Sequence, residues 1–445
     1  MDQSLKSSIA IYALFFTSCL TLIDGVSRLV SFGIFGIVFA SVLIWAWQKG
    51  SLVIAFQPSI LAGTMLVWFA LIVGFLRAPS ADGFLRLGAF VGISGFLLFG
   101  FSSVFTLTEV YRSVAWVAAT FVIIGLPTTV LGPLGPIDVW QSGTLFGVRY
   151  FIPMSLFDNP NTLGAIAAMG GVGAVGEFLS NRSHVRTLQD MKQPLADMVL
   201  AEILAGLCAF GVVLSTGRGA MLALLAGVSV LLFIFGLGRG IAATATLIGG
   251  VVFTGAIAAA AGLIPGPSFF QSVDLSGRGV LWRSIMRALG ERPLFGYGPG
   301  AGKDILAEFV PSGSRYKGSA PHSSYLRMFF VGGLVGGIGY LVLCLGALQA
   351  ALANATRSVA TTSGMLISIF LLLVFNGATI FGLNPVSIVG ALTVGFVQSS
   401  SHKTRSYRVV QSLPTEIESA IENSLLLNSI DDSYIYGEIN KHRNN

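Results

Sequence analysis

Residues 219–236 read GAMLALLAGVSVLLFIFG, a stretch without a charged side chain. As a helix it is about 27 Å long, close to the ~30 Å thickness of the hydrocarbon core of a bilayer. Similar runs occur on both sides of it along most of the chain. Because these runs stay apolar throughout and do not alternate in polarity, they predict membrane-spanning helices and not the strands of a barrel.

The composition of the whole chain agrees with this prediction. Hydrophobic residues make up 54% of the 445 residues and charged residues only 10%, and the mean hydropathy is +0.80. Soluble domains average about 25% charged residues, so a soluble fold is excluded. The 55 glycines are typical of closely packed transmembrane helices. Cys19, Cys208 and Cys344 each lie in an apolar run, which indicates neither a disulfide framework nor a metal site.

About twelve runs are long enough to cross a bilayer, which predicts an all-α polytopic membrane bundle. They lie at roughly 7–23, 29–47, 58–76, 87–107, 113–131, 161–180, 196–214, 219–236, 241–264, 324–347, 361–381 and 385–400. Only the short turn at Asn384–Pro385 separates the last two runs. It leaves open whether both cross fully or one re-enters the membrane.

The distribution of Lys and Arg predicts the orientation, because 13 of the 26 fall in the loops and tails on the side of the N-terminus and only 5 fall in the short loops on the other side. Both termini are therefore expected in the cytoplasm. Residues 1–400 would form the transmembrane domain and 401–445 a polar cytoplasmic tail, with a short amphipathic helix near 415–425. The first run lacks a clear cleavage site and is expected to be an uncleaved anchor. The net charge of +6 fits contact with membrane lipids better than with nucleic acid.

Two segments on the outer side are large enough to carry chemistry. They are 132–160 and, between the ninth and tenth spans, 265–323. Within the second, the spacing of apolar residues over 280–289 predicts a helix that lies flat at the outer interface. Its apolar face, with Leu281, Trp282, Ile285, Met286 and Leu289, would lie in lipid or against the bundle, and its Arg283 and Arg287 would face lipid headgroups.

His322 is the candidate base, because of the four histidines it alone lies on the outer side. An imidazole that titrates near pH 7 suits proton removal from a sugar hydroxyl, although a histidine after a proline is often a capping or surface residue. Arg218 and Arg278 are each flanked by glycines in Gly-Arg-Gly. Such arginines either anchor headgroups or clamp a diphosphate that approaches the backbone closely.

A third arginine, Arg149, precedes Asn159-Pro-Asn-Thr-Leu-Gly164 and is a further candidate phosphate ligand. In this motif Asn161 or Thr162 either caps the sixth span or contacts a sugar. The sequence has no Asp-X-Asp pair and no outward cluster with ligand spacing. We therefore expect no metal and no other cofactor, with arginines stabilising the charge of a leaving diphosphate.

Together these stretches resemble the O-antigen ligase and O-antigen polymerase superfamily, which includes exopolysaccharide polymerases. The similar stretches are Ser215-Thr-Gly-Arg-Gly-Ala-Met221, Arg278-Gly-Val-Leu-Trp282, Arg292-Pro-Leu-Phe-Gly-Tyr-Gly298 and His322-Ser-Ser-Tyr-Leu326, with Asn159–Gly164 as a further motif. Ser323 stands where many relatives have asparagine. The large outer loop before the tenth span also fits that family.

The resemblance implies a metal-independent glycosyltransferase of the C type that inverts the transferred sugar. In it His322 would be catalytic, and Arg218 and Arg278, with Arg149, would hold undecaprenyl pyrophosphate. Asn161, Tyr325 and Trp282 are candidates for contact with the acceptor or the glycan. The expected location is a bacterial inner membrane, with the active side in the periplasm.

Three functions remain open on the sequence alone. The first is polymerisation of undecaprenyl-pyrophosphate-linked repeat units of exopolysaccharide or O-antigen, alongside other assembly proteins such as a flippase and a chain-length regulator. The second is ligation of the same donor to lipid A-core. The third, from another class, is a flippase or transporter, which is disfavoured because Glu177 and Glu202 fall near span ends and not at the midplane.

Overall fold

A computed structural model of the chain describes residues 3–23, 26–48, 53–145, 147–184, 192–267, 277–354, 356, 359–399 and 405–408. Helices dominate these residues. The helices are α1 (Gln3–Leu20), α2 (Arg28–Gln48), α3 (Pro58–Arg77), α4 (Ala81–Gly88), α5 (Ser94–Phe99), α6 (Leu107–Gly125), α7 (Thr128–Leu131), α8 (Pro160–His184), α9 (Lys192–Leu214), α10 (Arg218–Gly236), α11 (Arg239–Ala260), α12 (Arg278–Glu291), α13 (Lys303–Phe309), α14 (Ser324–Ala353), α15 (Ala360–Phe375) and α16 (Pro385–Ser399). The strands are β1 (Val53–Phe56), β2 (Asp138–Leu145), β3 (Val148–Ser155) and β4 (Arg405–Arg408).

The predicted all-α polytopic membrane fold is confirmed. Within the described ranges, nine helical segments are long and apolar enough to cross a membrane, and three shorter apolar helices complete the twelve predicted spans. The fourth span is Ala81–Ser103, in which a π-helical turn at Ala89–Ile93 joins α4 to α5. The predicted helix near 415–425 lies outside the described residues.

Two span starts lie earlier than the hydropathy predicted, because polar caps extend the helices past their apolar runs. The fourth span starts at Ala81, where the Ser80 side chain accepts a hydrogen bond from the Gly83 amide. The fifth starts at Leu107, where Thr106 and Glu109 form a capping box. Such polar residues lower the hydropathy of a window while stabilising the helix.

Successive spans run in opposite directions, which gives the bundle two distinct ends. At one end β2 and β3 form an antiparallel hairpin between α7 and α8, and we call this the hairpin end. At the other, β1 pairs antiparallel with β4, and the Val53 amide donates to Ser103 Oγ. We call this the strand-pair end. The pairing places 405–408 on the same side of the bundle as the connection between α2 and α3.

Glycines let central helices approach backbone to backbone. A Cβ built on Gly63 of α3 would lie 2.5 Å from the backbone nitrogen of Leu343 in α14. One built on Gly339 of α14 would lie 2.9 Å from the Gly63 carbonyl oxygen. No larger residue fits at either position without separating the two helices. The high glycine content therefore has a packing role here, as is usual between transmembrane helices.

An ionic cluster joins three helices toward the strand-pair end. The Arg112 guanidinium of α6 donates to Glu177 of α8, with Nε 2.7 Å from the carboxylate oxygen, and lies 3.5 Å from the Asp197 carboxylate of α9. The Glu177 side chain is 7% exposed and that of Asp197 is 49% exposed. The buried carboxylate therefore depends on Arg112 for compensation of its charge.

Replacing Arg112 by methionine is expected to lower the free energy of unfolding by about 3 kcal/mol, because it leaves the buried Glu177 without its cation. Asp197→Asn serves as the control and should cost less than about 1 kcal/mol, because that partner is half exposed. Reversible unfolding in mixed micelles measures both. Equal losses for the two variants would show that burial of Glu177 does not dominate this cluster.

Candidate active site

The three residues predicted to do the chemistry all lie at the hairpin end. Arg218 is the first residue of α10 and Arg278 the first of α12. His322 comes two residues before α14 begins. Each therefore stands where a helix starts, and helix starts with their open amide groups favour anions.

The end of α15 is the point that all three residues share. The Arg278 guanidinium carbon lies 5.8 Å from the centre of the Phe375 ring. Gly219, next to Arg218, packs against the same ring: a Cβ atom added to this glycine would lie 3.1 Å from it. Gly377 lies close to His322, since a Cβ atom added to Gly377 would be 3.7 Å from the His322 amide nitrogen. The structure thus brings the three predicted residues around one segment, Phe375–Gly377.

The backbone is strained beside two of these residues. His322 has φ of 46°, and Thr216, two residues before Arg218, has φ of 52°. Side chains other than glycine rarely adopt this left-handed conformation, and it persists only where surrounding contacts enforce it. At His322 those contacts include the indole nitrogen of Trp282, which donates to the Pro321 carbonyl oxygen at 3.1 Å.

The environment of His322 favours its neutral form. Partial burial, and next the positive charge of Arg278, hold the pKa of His322 below its usual value near 6.5. A general base must be unprotonated before it can accept a proton. The neighbouring arginine therefore suits two tasks, since a cation that binds phosphate also keeps the imidazole neutral at physiological pH.

We expect glycan transfer to lose activity only at acidic pH, along a limb with an apparent pKa below about 6.5. The rate should fall toward acidic pH because protonation of His322 removes the base. The lowered pKa of His322 moves that protonation to more acidic pH. The measurement is the initial rate across pH 4.5–8.5 in proteoliposomes. An acid limb centred above pH 7 would contradict this assignment of the base.

The segment before α13 fixes α12 against α14. In residues 292–298 the amides of Tyr297 and Gly298 donate to the carbonyl oxygens of Phe330 and Val331 at 3.0 and 2.9 Å. In return, the amide of Val335 donates to the Leu294 carbonyl oxygen at 3.1 Å. This docking fills a break in α14 at Gly333, where φ is 63°. The motif recognised in the sequence therefore has a structural task, which is to hold the Arg278 helix beside the His322 helix.

A helix covers the predicted residues 280–289 as part of α12, and one of its contacts differs from the prediction. Leu281, Trp282 and Ile285 are buried against the bundle and Met286 is 48% exposed, in agreement with a predicted apolar face that lies in lipid or against the bundle. Arg283 donates to the Ala261 carbonyl oxygen at 2.8 Å instead of facing headgroups. The guanidinium thereby binds the chain just after α11, a long-range contact that helical periodicity does not reveal.

The hairpin and the start of α8 lie near the chain that leads into Arg218. Asn161 packs against Gly217, since a Cβ atom added to Gly217 would lie 3.4 Å from Asn161 Oδ1. Tyr150 Oη lies 3.5 Å from the Leu214 carbonyl oxygen, at the end of α9. Arg149, which precedes Tyr150, is exposed on β3. Asn161 therefore adjoins the candidate site directly, and Arg149 is linked to it through Tyr150.

The cap of α8 differs from the sequence prediction. The side chain of Asn159, and not that of Asn161 or Thr162, accepts the amide hydrogen bond of Asn161 at 2.8 Å. The reason is Pro160, which occupies the first helical position, where its missing N–H costs nothing. The Asn161 side chain also donates through Nδ2 to the same Asn159 oxygen at 2.9 Å, and its contact with a sugar remains a prediction.

Trp282 and Tyr325, the other candidate glycan contacts, both donate to backbone oxygens. Trp282 is 3% exposed and bonds to Pro321, as described above. Tyr325 Oη donates to the Phe370 carbonyl oxygen at 3.2 Å. In the structure Trp282 braces the backbone beside His322, and Tyr325 joins α14 to α15. Contact of either with a glycan remains a prediction.

Replacing Trp282 by phenylalanine tests its bracing role, because the ring is kept while the N–H donor is lost. We expect the free energy of unfolding to fall by about 1 kcal/mol, because one hydrogen bond is lost. We also expect kcat to fall with KM unchanged, because His322 is held less firmly. Trp68→Phe is the matched control, since its indole donates to the Phe90 carbonyl oxygen at 3.0 Å, on helices that do not carry the three residues. An equal loss of kcat in both variants would contradict the role assigned to Trp282.

Sequence reasoning missed Arg327, whose Nη1 donates to the Gly377 carbonyl oxygen at 2.7 Å. It also missed Phe375, on which the site centres. A signal for Arg327 existed: an arginine five residues after His322, inside an apolar run, is a functional candidate by default. No sequence signal pointed to Phe375, because a phenylalanine in an apolar span cannot be distinguished from the other apolar residues of that span.

In the part of the chain that the structure describes, no three His, Cys, Asp or Glu side chains group to hold a metal ion. The cations that lie nearest to Phe375 and His322 include the guanidinium of Arg278. Two or more guanidiniums can neutralise a diphosphate through bidentate hydrogen bonds. Independence from metal ions stays a prediction, which a transfer assay with a chelator decides.

Comparison with known proteins supports the resemblance to the O-antigen ligase family. Residues 203–341 match the family model described as O-antigen ligase. No curated protein matches the chain. The matched segment contains Arg218, Arg278 and His322, together with the docked motif at 292–298. The resemblance seen in the sequence is therefore confirmed: this multi-pass membrane protein carries, over residues 203–341, a domain that matches the O-antigen ligase family.

Proposed function

We propose that the protein polymerises undecaprenyl-pyrophosphate-linked oligosaccharide repeat units in the synthesis of bacterial exopolysaccharide or O-antigen. The observation that carries this proposal is the gathering of Arg218, Arg278 and His322 around Phe375–Gly377 at one end of the bundle. Enzymes of this family are glycosyltransferase-like. The proposal adds the donor, the acceptor and the role of each residue.

The growing glycan on its lipid pyrophosphate is the donor, and a sugar hydroxyl of the next lipid-linked unit is the acceptor. His322 takes the proton of that hydroxyl while its oxygen attacks the anomeric carbon of the donor. The bond between that carbon and the pyrophosphate oxygen breaks, and undecaprenyl pyrophosphate leaves with the electron pair. Attack from the face opposite the leaving group inverts the anomeric centre.

The two arginines stabilise the negative charge that develops on the leaving diphosphate. Arg278 lies close enough to His322 to lower its pKa, so the base and one phosphate ligand share a site. Arg218 begins α10 next to Gly219, which packs against the Phe375 ring. Preorganised cations in a site of low dielectric constant contribute more to catalysis than they would in water. Arg149 on the hairpin is a third candidate ligand.

The proposed location is the inner membrane of a bacterium, with the hairpin end in the periplasm. Outside the large segment between the ninth and tenth spans, Lys and Arg are in excess on the N-terminal side, and this excess supports the orientation. Residues 1–400 would then form the transmembrane domain and 401–445 a cytoplasmic tail. A flippase would deliver lipid-linked units to the periplasmic side, and a chain-length regulator would act on the growing product.

Ligation to lipid A-core is the second candidate, and the description of the matched family favours it. The chemistry of the donor is the same, and only the acceptor differs. Purified protein in proteoliposomes is given lipid-linked repeat units alone or together with lipid A-core. Longer lipid-linked glycan from repeat units alone supports polymerisation, whereas product that appears only on lipid A-core would assign a ligase.

A further inference from the structure

A cavity of about 270 Å³ lies at the opposite end of the bundle from His322, between the first turns of α1 and α6. Its walls include Ser8 and Tyr12 from α1, and Glu109, Arg112 and Trp116 from α6. Its volume approaches the lower limit for small-molecule sites, about 300 Å³. The proposed transfer reaction uses none of these residues.

The cavity opens toward the surface that meets lipid. Trp116 is 41% exposed and Ile9, also in the wall, is 50% exposed. Both helices start at this end, α1 at Gln3 and α6 at Leu107, so the wall residues lie within their first three turns. This depth corresponds to the interface between headgroups and acyl chains, where tryptophan and tyrosine side chains are enriched.

The charges around the cavity sum to a negative value. Glu109 in the wall keeps its carboxylate beside Thr106, with one oxygen 2.8 Å from the Thr106 amide nitrogen. Glu177 and Asp197 both contact the wall residue Arg112 from behind. At these positions three carboxylates stand against one guanidinium, and two of them contact it. A cationic group is favoured there, and the aromatic rings of Tyr12 and Trp116 add cation–π attraction for an ammonium group.

We propose that this cavity binds the headgroup of phosphatidylethanolamine. The ammonium lies at Glu109 between the two aromatic rings, and the phosphate lies toward the part of Arg112 that is exposed, since 36% of that side chain is accessible. Residues three apart on a helix are ~5–6 Å apart, which suits an ammonium and a phosphate joined by a two-carbon spacer. An anionic lipid would bring its charge next to three carboxylates without an ammonium to offset it.

Native mass spectrometry of the detergent-purified full chain tests the site, with phosphatidylethanolamine and phosphatidylglycerol of identical acyl chains as probes. Glu109→Gln removes the charge but keeps the capping box, because glutamine serves equally at that position. Ser8→Trp fills the cavity. Asp304→Asn, in the first turn of α13 at the hairpin end, is the matched control for loss of one carboxylate.

We expect wild type to retain phosphatidylethanolamine about threefold to tenfold more than phosphatidylglycerol, in line with one cation–π and ionic contact. Glu109→Gln and Ser8→Trp should remove this preference, and Asp304→Asn should keep it. Equal retention of the two lipids by wild type, or a preference for phosphatidylglycerol, would overturn the proposal. An unchanged preference for phosphatidylethanolamine in both Glu109→Gln and Ser8→Trp would also overturn it. These lipid-binding results do not depend on glycan transfer.

Discussion

Alanine in place of His322 is expected to lower the rate of glycan transfer by about 10²- to 10⁴-fold, the usual contribution of a general base. The acceptor hydroxyl then has no group to take its proton, while Arg218 and Arg278 still bind the donor. The apparent KM for the donor should therefore change little. Initial rates with a lipid-linked oligosaccharide in proteoliposomes measure both quantities.

The matched control is His184→Ala, at the last position of α8 and therefore at the strand-pair end. It should transfer glycan at the wild-type rate. Expression and thermal stability of both variants are compared with wild type, because His322 occupies a strained backbone position. A folded His322→Ala variant that retains more than a tenth of the wild-type rate would exclude the imidazole as the base.

Neutralising either arginine of the pair, as Arg218→Gln or Arg278→Gln, is expected to lower kcat by about 10²- to 10³-fold. Each guanidinium stabilises charge that appears on the diphosphate as the bond to the sugar breaks. Lysine at either position keeps the charge but loses the bidentate geometry, so it should restore only part of the rate. The same kinetic assay measures these variants.

Arg287→Gln is the control for these arginine variants, because Arg287 is an exposed arginine on the same helix as Arg278. It should leave kcat unchanged. If Arg218 and Arg278 act on one diphosphate, the double variant should lose less than the product of the two single losses, because residues that act as a unit are not additive. Strictly independent effects would argue for two separate sites.

The sequence predicted the membrane architecture well, because hydropathy over a span averages many residues. It placed the spans but missed the starts of the fourth and fifth, since the caps Ser80 and Thr106 extend those helices beyond the apolar run. Capping by Asn159 instead of Asn161 has the same origin, as it depends on one proline. Local contacts of one residue decide such boundaries, and an averaged signal does not resolve them.

The candidate site was predictable in part. Arg218, Arg278 and His322 stood out because charged residues are rare in this chain and glycines flank both arginines. Their convergence on Phe375 was not predictable, because α15 is distant from all three in sequence. Nor was the bracing of His322 by Trp282 and by the loop that Arg327 holds. Such contacts join residues about 40 to 50 positions apart, beyond the reach of helical periodicity.

The most direct test of the central claim is transfer by the purified protein in the presence of a chelator, with undecaprenyl-pyrophosphate-linked oligosaccharide as the only substrate. If guanidiniums at the hairpin end receive the lipid diphosphate beside His322, the protein lengthens the glycan and releases undecaprenyl pyrophosphate without divalent metal. The variant with Arg218, Arg278 and His322 all replaced should then form no product. Product that requires added metal, or that forms equally well in the triple variant, would contradict the claim.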